Sequence, residues 1–438
     1  MKTEPKPSQL PVQDPQEASA ATADAVRTKA PGSWRVLRHR DYALLFGGQL
    51  ISAAGTQIQV VVVLWQVGLL TRTDVAHEAF ALGLVGLFSA VPRLVFSLVG
   101  GVFADLLDRR KLLLSVNLLL ACTSVVLAVT TQAGTISLPI IYAMVLLSAC
   151  VSSFEFPTRQ AIIPTLVPRE EMPAAISLSM VMMQLTFIAG ATLGGFCIAL
   201  LGIANSYWLD VASYFVVIAA LLVMMVPRIP AERRAQGGIA ALVDGMRFLR
   251  AHPVILAVLS LDFFATFFGS PRALLPVYAD QILHVGPQGL GVLAAATSIG
   301  AVALAPFTGV ISRIRRQGMG VALAIVGWGL FIVAFGLSTG PLWLSAFFLA
   351  GAGAADMVSM VLRGLVVQLT TPDEFRGRIS SVNAMFVIGG PSLGQFESGV
   401  VASFATPQLS VVSGGLLCIV ATAAIVAIVP GLLRVRVR

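Results

Sequence analysis

Residues 101–111 read GVFADLLDRRK, a charged turn between two apolar runs at roughly 79–104 and 112–131. A helix rises about 1.5 Å per residue, so roughly 20 apolar residues cross the hydrocarbon core of a membrane, which is about 30 Å thick. Of the 438 residues, 57% are hydrophobic and only 11% are charged. A soluble globular protein carries about 25% charged residues. The composition therefore predicts a membrane protein and excludes a soluble one.

Apolar runs of this kind recur along the chain. We predict twelve transmembrane helices, at roughly 42–70, 79–104, 112–131, 137–163, 172–201, 205–227, 253–278, 288–311, 318–338, 342–365, 379–402 and 409–433. Residues 1–32 are polar and contain no apolar run, which predicts a disordered cytoplasmic tail. The predicted fold class is an all-α membrane protein with twelve transmembrane helices.

The basic residues predict the orientation of these helices. All but four of the 29 Lys and Arg residues lie on the side of the N-terminus: before the first helix, after the last, or at connections that follow even-numbered helices. Of the four, Arg93, Arg272 and Arg363 lie within helices, and only Arg72 lies in an opposite connection. Since basic residues are retained on the cytoplasmic side, both termini are predicted to be cytoplasmic. Topology thus accounts for the net charge of +8, and no nucleic-acid partner is expected.

Short motifs repeat across the longest polar interruption, residues 228–252. The matching stretches, in order and at offsets of 200 to 212 positions, are 34–38 with 246–250, 101–110 with 309–316, 168–172 with 372–376, and 190–195 with 390–395. This order indicates a duplicated six-helix unit. We predict two pseudo-symmetric six-helix bundles, 33–227 and 253–433, a cytoplasmic linker at 228–252, and a basic cytoplasmic end at 434–438. Two such bundles enclose a cleft at the membrane midplane, which rocking opens to alternate sides, as in transporters.

Residues 101–111 resemble the signature that the major facilitator superfamily carries between its second and third helices. The resemblance implies that four residues gate the conformational change without binding substrate: Gly101, Asp105, Arg109 and Arg110. Charge-assisted hydrogen bonds between such acidic and basic groups can lock the cytoplasmic side and must break when the bundles rock. Asp108 stands where the family usually has Gly. The alternative role of the basic residues is topological charge alone.

Within this superfamily, the chain resembles a branch of exporters that includes enterobactin exporters and macrolide or multidrug efflux proteins. The stretches that carry this resemblance are 209–215, 247–249 and 372–379. One motif departs from the pattern of antiporters, which have Gly-Pro in the fifth helix where Gly190-Ala191 stands here. The resemblance implies export but does not identify the substrate.

Charged residues within the predicted helices are candidates for energy coupling. They are Arg93, Glu155, Asp210, Asp262, Arg272, Asp356, Arg363 and Glu397. A charge at the centre of a helix costs about 2.5–3.5 kcal/mol on insertion, so those retained face a cavity or pair with each other. The resemblance implies that helices one, four, seven and ten line the cleft. Glu155, Asp262 and Asp356 lie on three of these helices and are therefore predicted to carry protons.

These carboxylates also have a purely structural interpretation. Arg93 and Arg363 are the predicted charge partners, and a permanent ion pair of Asp356 with Arg363, or of Asp262 with Arg93, would account for the same residues. Asp210 and Glu397 lie toward the outer ends of their helices and are expected to be structural.

Uncharged side chains complete the predicted cleft. The candidates are Gln49, Met180, Gln184, Phe264, Phe267 and Asn383. Phe264, Phe267 and Phe268 follow i, i+3, i+4 spacing and form one stripe on a helix. A mostly apolar pocket with a few polar groups suits an amphipathic organic molecule. Packing between helices is the alternative role of each Phe.

The sequence predicts a secondary active transporter that exports small amphipathic, drug-like compounds by alternating access with proton antiport. The alternatives are a siderophore exporter of the enterobactin type, a nutrient importer, and a receptor or scaffold that transports nothing. The sequence has no phosphate loop and no metal-spaced His, Cys and carboxylate cluster, so we expect no enzyme, metal or cofactor. The expected partners are the lipid bilayer and a small molecule. We expect a monomer in the inner or plasma membrane.

Overall fold

The computed structural model describes residues 33–106, 108–225, 239–372 and 375–435. The predicted tail at 1–32 and most of the predicted linker lie outside these residues. Eleven helices in the described part of the chain are long and apolar enough to cross a membrane. A further helix, Arg376–Phe404, takes the place of the predicted eleventh helix. The predicted all-α, multi-pass membrane fold is confirmed.

Twelve spans are numbered here in chain order. The first six are Arg40–Thr71, Val75–Leu106, Arg109–Gln132, Leu138–Ser152 with Glu155–Leu166, Met172–Leu201 and Ile203–Val223. The last six are Pro253–Phe268 with its continuation to Ile282, Gly286–Leu304 with Thr308–Ile311, Gln317–Leu337, Leu342–Thr370, Arg376–Phe404 and Pro407–Ile428. We call the end at which span one begins the basic face, and the end at which it finishes the far face. The N-terminal half is spans one to six, and the C-terminal half is spans seven to twelve.

Spans four, seven and eight are interrupted, and a proline lies at each interruption. In span four, the helix stops at Ser152 and restarts at Glu155. Pro157 has no N–H to donate to the carbonyl of Ser153, which weakens the helix at this point and favours a break. In span seven, the helix ends at Phe268, and Pro271–Leu274 forms a 3₁₀ turn before the chain continues as Leu275–Val277 and a π-helical turn, Tyr278–Ile282.

The predicted linker is partly helical. Ile239–Ala251 forms a 13-residue helix before span seven. This differs from a simple linker because Phe248 and Leu249 are buried against Ile379 and Val382 of span eleven. Burial of these apolar side chains stabilises a helix that is too short to persist alone in water.

The repeated motifs form equivalent corners at the basic face. In the N-terminal half, His39 Nε2 lies 3.1 Å from Glu171 Oε2, which ties the start of span one to the start of span five. In the C-terminal half, Phe248 stacks on Phe375 with ring centroids 4.3 Å apart. Glu171 and Phe375 hold matching positions of the repeat. The same joint is therefore ionic in one half and aromatic in the other.

Among the described residues, the hydrophobic core is shared between the halves toward the far face. One cluster includes Val62 and Leu82 of the N-terminal half together with Leu274 and Leu293 of the C-terminal half. Toward the basic face, the residues described in each half form separate clusters. In the described part of the chain, the halves are therefore packed around one core toward the far face and around separate cores toward the basic face.

Glycines allow the halves to approach closely. A Cβ atom on Gly83 of span two would lie 3.0 Å from Cα of Gly399 of span eleven. A Cβ atom on Gly291 of span eight would lie 3.1 Å from Cα of Gly195 of span five. Small residues at such crossings let helix backbones pack in contact. Both crossings lie toward the far face and close it.

Candidate functional site

A cavity of about 240 Å³ lies inside the molecule, below the closed far face. Its polar lining comes mainly from spans one, two, four and six, with one residue from span seven and one from span eleven. These residues include Thr56, Gln57, Gln59, Ser89, Arg93, Ser148, Ser152, Glu155, Tyr214, Arg272 and Gln395. The remaining lining is mostly Val, Leu and Ala, with Phe187. Its mixed character and its position between the halves fit an organic ligand.

Two arginines from opposite halves line this cavity. Arg93 lies in span two, directly after Pro92, and Arg272 lies in the 3₁₀ turn that interrupts span seven. They are close enough for their charges to repel. The guanidinium of Arg272 is 3.5 Å from Oε1 of Gln57 and lies over the ring of Phe187, 5.9 Å from its centroid. Neither arginine forms an ion pair with any carboxylate of the described residues.

A second cavity, of about 270 Å³, adjoins the first and lies mainly in the C-terminal half. Phe187 and Arg272 line both cavities. Asp356 and Trp328 also line the second one. The indole Nε1 of Trp328 is buried and has no hydrogen-bond acceptor among the described residues. A buried donor without a partner is costly, and this N–H lies against Gly269 with almost no accessible surface.

Two of the predicted proton carriers lie together. Asp262 forms an ion pair with Arg363, and both side chains are largely buried. Asp262 and Asp356 line the same narrow pocket between spans seven, nine and ten. The charges of Asp262 and Arg363 both act on Asp356. One cation is thus shared by two acidic residues.

This arrangement differs from the pairs that the structural interpretation of the sequence suggested. Arg363 pairs with Asp262 and not with Asp356, although Asp356 is nearer in the sequence. Arg93 lies in the first cavity, where it meets Arg272 and not Asp262. The rotation of each helix about its axis decides these pairs, and sequence spacing does not contain it.

The third predicted proton carrier belongs to a separate cluster in the N-terminal half. Glu155 begins the second segment of span four and lines the first cavity. Arg159, one turn later, acts on its charge, and Gln49 of span one lies beside it. Arg159 Nη1 donates to Gln49 Oε1 over 3.0 Å. This cluster joins span one to span four.

Asp210 is held in a buried polar network. Ser124 of span three donates to its Oδ2 over 2.7 Å, and Gln59 Nε2 donates to Ser124 over 2.8 Å. Since Gln59 also lines the first cavity, the network positions one wall of that cavity. These bonds join Asp210 of span six to spans one and three, and its structural role stays a prediction.

The remaining cleft candidates are not gathered at the cavities. The side chains of Met180 and Gln184 lie outside the described residues. Neither Phe264 nor Phe267 nor Asn383 lines either cavity as described. Phe264 is 36% exposed and stacks on Phe268, while Phe267 stacks on Phe263.

Helix geometry explains the placement of Phe264. Asp262 and Thr266 line the pocket between spans seven, nine and ten. Phe264 is two residues from each, which is roughly 200° around the axis of an α-helix. Its side chain therefore points to the opposite side.

The predicted gate is described only in part. Gly101 and Asp105 lie in the last turns of span two, and their side chains fall outside the described residues. Arg109 Nη1 donates to the carbonyl of Ala161 over 2.7 Å. Arg110 donates to the carbonyls of Leu221 and Leu222, near the end of span six. These bonds hold the start of span three to spans four and six of the same half.

Asp108, which departs from the family's Gly, caps span three. Its Oδ1 accepts hydrogen bonds from the backbone N–H groups of Arg110 and Lys111, over 3.1 Å and 3.2 Å. The first N–H groups of a helix have no partner within it, and an Asp at this position satisfies them.

Sequence reasoning missed part of the cavity. Arg272 was identified only as a charge within a helix, although its position after Pro271 marks the break in span seven. Gln57 and Phe187 were not singled out. A polar residue in an otherwise apolar span was the available signal for Gln57, but nothing in the sequence distinguishes Phe187 from the other phenylalanines. No three His, Cys, Asp or Glu residues of the described ranges are grouped to hold a metal ion.

Comparisons with known proteins agree with this architecture. A family model described as transmembrane secretion effector matches residues 31–434. The enterobactin exporter EntS of Shigella boydii serotype 18 is 28% identical over 378 residues, which cover 86% of this chain and 89% of that protein. EntS of Escherichia coli O81 matches to the same extent.

Solved structures share the fold at lower identity. The nucleoside transporter NupG has a TM-score of 0.66 and 13% identity, and the match covers 89% of this chain and 98% of that one. A D-xylose-proton symporter has a TM-score of 0.67 and 14% identity, with coverage of 89% and 96%. The matched family and these proteins are transporters, not enzymes.

Proposed function

The chain belongs to the transmembrane secretion effector family of the major facilitator superfamily, and we propose that it exports small amphipathic organic compounds by alternating access. One observation carries this proposal. A central cavity lies beneath a far face at which the halves share one core, while the described residues toward the basic face form separate cores. A cleft that is closed at one end can pass a solute only if that end opens while the other closes.

The distribution of basic residues supports the direction of transport. With the basic face in the cytoplasm, the far face is external and the present conformation is closed to the outside. A compound enters the cavity from the cytoplasmic side and leaves when the contacts at the far face separate. Both termini then lie in the cytoplasm of a monomer in the inner membrane.

The substrate class is supported by the lining of the cavities. Apolar walls with a few polar groups suit a drug-like amphipathic molecule. The relatedness to enterobactin exporters supports a second candidate, a siderophore, at least as well. Both candidates use the same cavity and the same cycle.

Energy coupling is proposed to involve the acidic residues beside Arg363. Protonation of Asp262 removes its negative charge and weakens the ion pair with Arg363, which leaves Arg363 to Asp356. A change of partner of this kind gives two discrete arrangements of spans seven and ten, as a switching element requires. Glu155 is a further candidate in the N-terminal half. Together these groups support proton antiport as the energy source.

The gate at the basic face is proposed to act in the opposite conformation. Asp105, Arg109 and Arg110 close the cytoplasmic side when the far face opens, and their bonds break on return. Gly101 is proposed to belong to the same gate.

A substrate screen tests the proposed function. Cells that carry the protein and cells that lack it are loaded with dyes, antibiotics and catechol siderophores, and retention is measured with and without a protonophore. The matched control is the double variant Asp105→Ala, Arg109→Ala, which keeps the cavity but loses the proposed gate. We expect lower retention of at least one compound only with the intact protein. Equal retention of every compound in all cells would rule out export.

A further inference from the structure

We propose that Arg93 and Arg272 form an anion-binding site and that the substrate is an organic anion with an aromatic or other flat apolar part. This inference rests on the proposed function and specifies its substrate class. It starts from the two arginines in the first cavity, which come from different halves of the protein.

The first step is the charge balance of the cavity. Buried charges in proteins are paired, because removing a charge from water without a counter-charge is costly. Arg93 and Arg272 instead act on each other as like charges. In the described residues, the only contact of Arg272 with a polar side chain is with Gln57 at 3.5 Å, a neutral amide. Two neighbouring cations thus lack a counter-ion.

The second step asks whether a neighbouring carboxylate could supply that charge. Glu155 lines the same cavity, but the cation that acts on it is Arg159. Asp262 is paired with Arg363, whose charge also acts on Asp356. These three acidic groups thus lie beside two other arginines, Arg159 and Arg363, and none of them forms an ion pair with Arg93 or Arg272. The charge that balances Arg93 and Arg272 therefore has to come from a bound molecule.

The third step is the chemistry of the ligand. Arginine binds carboxylate and similar oxyanions through paired N–H donors. Phe187 lies beneath Arg272, at the point where the two cavities meet, and offers an apolar face for a ring. A molecule with an anionic group at the arginines and an apolar ring at Phe187 matches both features.

The position of the arginines also relates binding to transport. Arg93 belongs to the N-terminal half and Arg272 to the C-terminal half, so one anionic group between them contacts both. A bound anion attracts both guanidinium groups, and this attraction offsets the repulsion between them. The ligand thereby favours an arrangement in which these parts of the two halves lie close together.

Direct binding by the purified full-length protein in lipid nanodiscs tests the inference. The probes are 1-naphthoate and 1-naphthamide, which are alike in size and ring but differ in charge, and affinity is measured by calorimetry. We expect naphthoate to bind and naphthamide to bind at least about tenfold more weakly, since hydrogen bonds between charged groups are the strong ones. Chloride and inorganic phosphate are included as competitors without a ring.

Variants assign the site. Arg93→Gln and Arg272→Gln are each expected to weaken naphthoate binding about tenfold or more, whereas Arg93→Lys, which keeps the charge, restores part of it. Arg313→Gln makes the same chemical change at an exposed residue and should leave binding unchanged. Thermal melting of each variant checks that it is folded. Three results would each overturn the inference. They are equal binding of both probes, naphthoate binding that neither Gln variant changes, and competition by phosphate that is as strong as the binding of naphthoate itself.

Transport measurements separate this inference from the proposed function. If the screen finds exported compounds that are all neutral or cationic and that are unaffected by the Gln variants, export stands and the anion site is wrong. If no compound is exported but naphthoate binding is lost in the Gln variants, the site stands and the proposed export fails.

Discussion

Arg72 and Asp280 join the two halves at the far face. Arg72 Nε lies 2.9 Å from Asp280 Oδ2, and Arg72 Nη2 lies 3.0 Å from Oδ1, so the contact is bidentate. Arg72 ends span one, and Asp280 lies in the π-helical turn beyond the break in span seven. Next to them, Gln281 donates a hydrogen bond to Glu78 of span two. Together the four residues form a polar clasp across the closed end of the cavity.

Removal of this clasp should favour opening of the far face. The Arg72 side chain is 58% exposed, and exposed ion pairs contribute about 1 kcal/mol at most. We therefore expect Asp280→Ala to raise the open population up to about fivefold. The measurement is the rate at which an impermeant maleimide, added on the far side, labels a Cys at Ser89 in a background without the four native cysteines.

The exchanged pair is the control for this experiment. Arg72→Asp combined with Asp280→Arg restores opposite charges and should return the labelling rate toward that of the parent. A double variant that labels as fast as Asp280→Ala would show that the contact does not hold the far face closed.

The glycine crossing of spans two and eleven should be more sensitive than the clasp. A Cβ at Gly83 would meet the backbone of Gly399 and the carbonyl of Phe396 within about 3 Å, and backbone cannot move aside as a side chain can. We expect Gly83→Val to prevent closure of the far face and to abolish transport, with the protein still inserted in the membrane. Distances between spin labels on spans two and eleven would report the separation.

Gly364→Val provides a matched control on span ten. A Cβ at Gly364 has no atom within 4 Å in the described structure, so the same substitution should leave both the label distances and transport close to those of the parent. If the distances between the spin labels in Gly83→Val equal those of the parent, the far face still closes. That result would contradict the proposed role of the crossing.

Asp262 and Arg363 should stabilise the folded protein when both are present, and either residue alone should destabilise it. Removing one partner of a buried pair leaves an uncompensated charge and costs about 3–5 kcal/mol. We expect Arg363→Gln, which leaves Asp262 and Asp356 without their cation, to lower the melting temperature more than Asp262→Asn, which leaves Arg363 to Asp356. The double variant, which keeps only one of the two acidic groups, should melt above Arg363→Gln. Melting in nanodiscs measures this effect.

Transport distinguishes a coupling role of this pair from a structural one. If the pair couples export to protons, the double variant regains stability but not protonophore-sensitive transport. Full recovery of both in the double variant would assign Asp262 and Arg363 a structural role only.

The cap on span three explains a departure from the family pattern and makes a simple prediction. Replacing an Asp cap by Ala costs about 0.5–2 kcal/mol, whereas Gly costs only a few tenths. We expect Asp108→Ala to lower the melting temperature and Asp108→Gly, the usual residue of the family, to change it little. Equal melting of the two variants would indicate that the cap contributes nothing.

Hydropathy was sufficient to locate the membrane-spanning helices. The ninth was predicted at 318–338 and is Gln317–Leu337; the tenth was predicted at 342–365 and extends to Thr370. Some helix ends carry polar residues, such as Gln368 and Thr370. A search for apolar runs stops before these residues, although the helix continues through them. The helix Ile239–Ala251 was missed for a related reason, since only tertiary burial of its two apolar residues stabilises it.

The candidate site was less accessible to sequence reasoning. The sequence identified the charged residues within the membrane but could not pair them, because Asp262 and Arg363 are 101 positions apart and their contact depends on the rotation of spans seven and ten. Likewise, the stripe of Phe264 and Phe267 was visible as a pattern, while the direction it faces was not. Arg272 gained its importance only when the break in span seven placed it opposite Arg93.

Two cations at the substrate site would also determine how the membrane potential enters the energetics of export. An anion that leaves a cell with a negative interior moves down this potential, which contributes about 2.3 kcal/mol per elementary charge at 100 mV. A proton that enters in exchange moves down the same potential. Export of a monovalent anion for one proton thus transfers two charges per cycle, whereas export of a neutral molecule transfers one. The membrane potential would therefore supply a larger driving force for the anions that Arg93 and Arg272 favour.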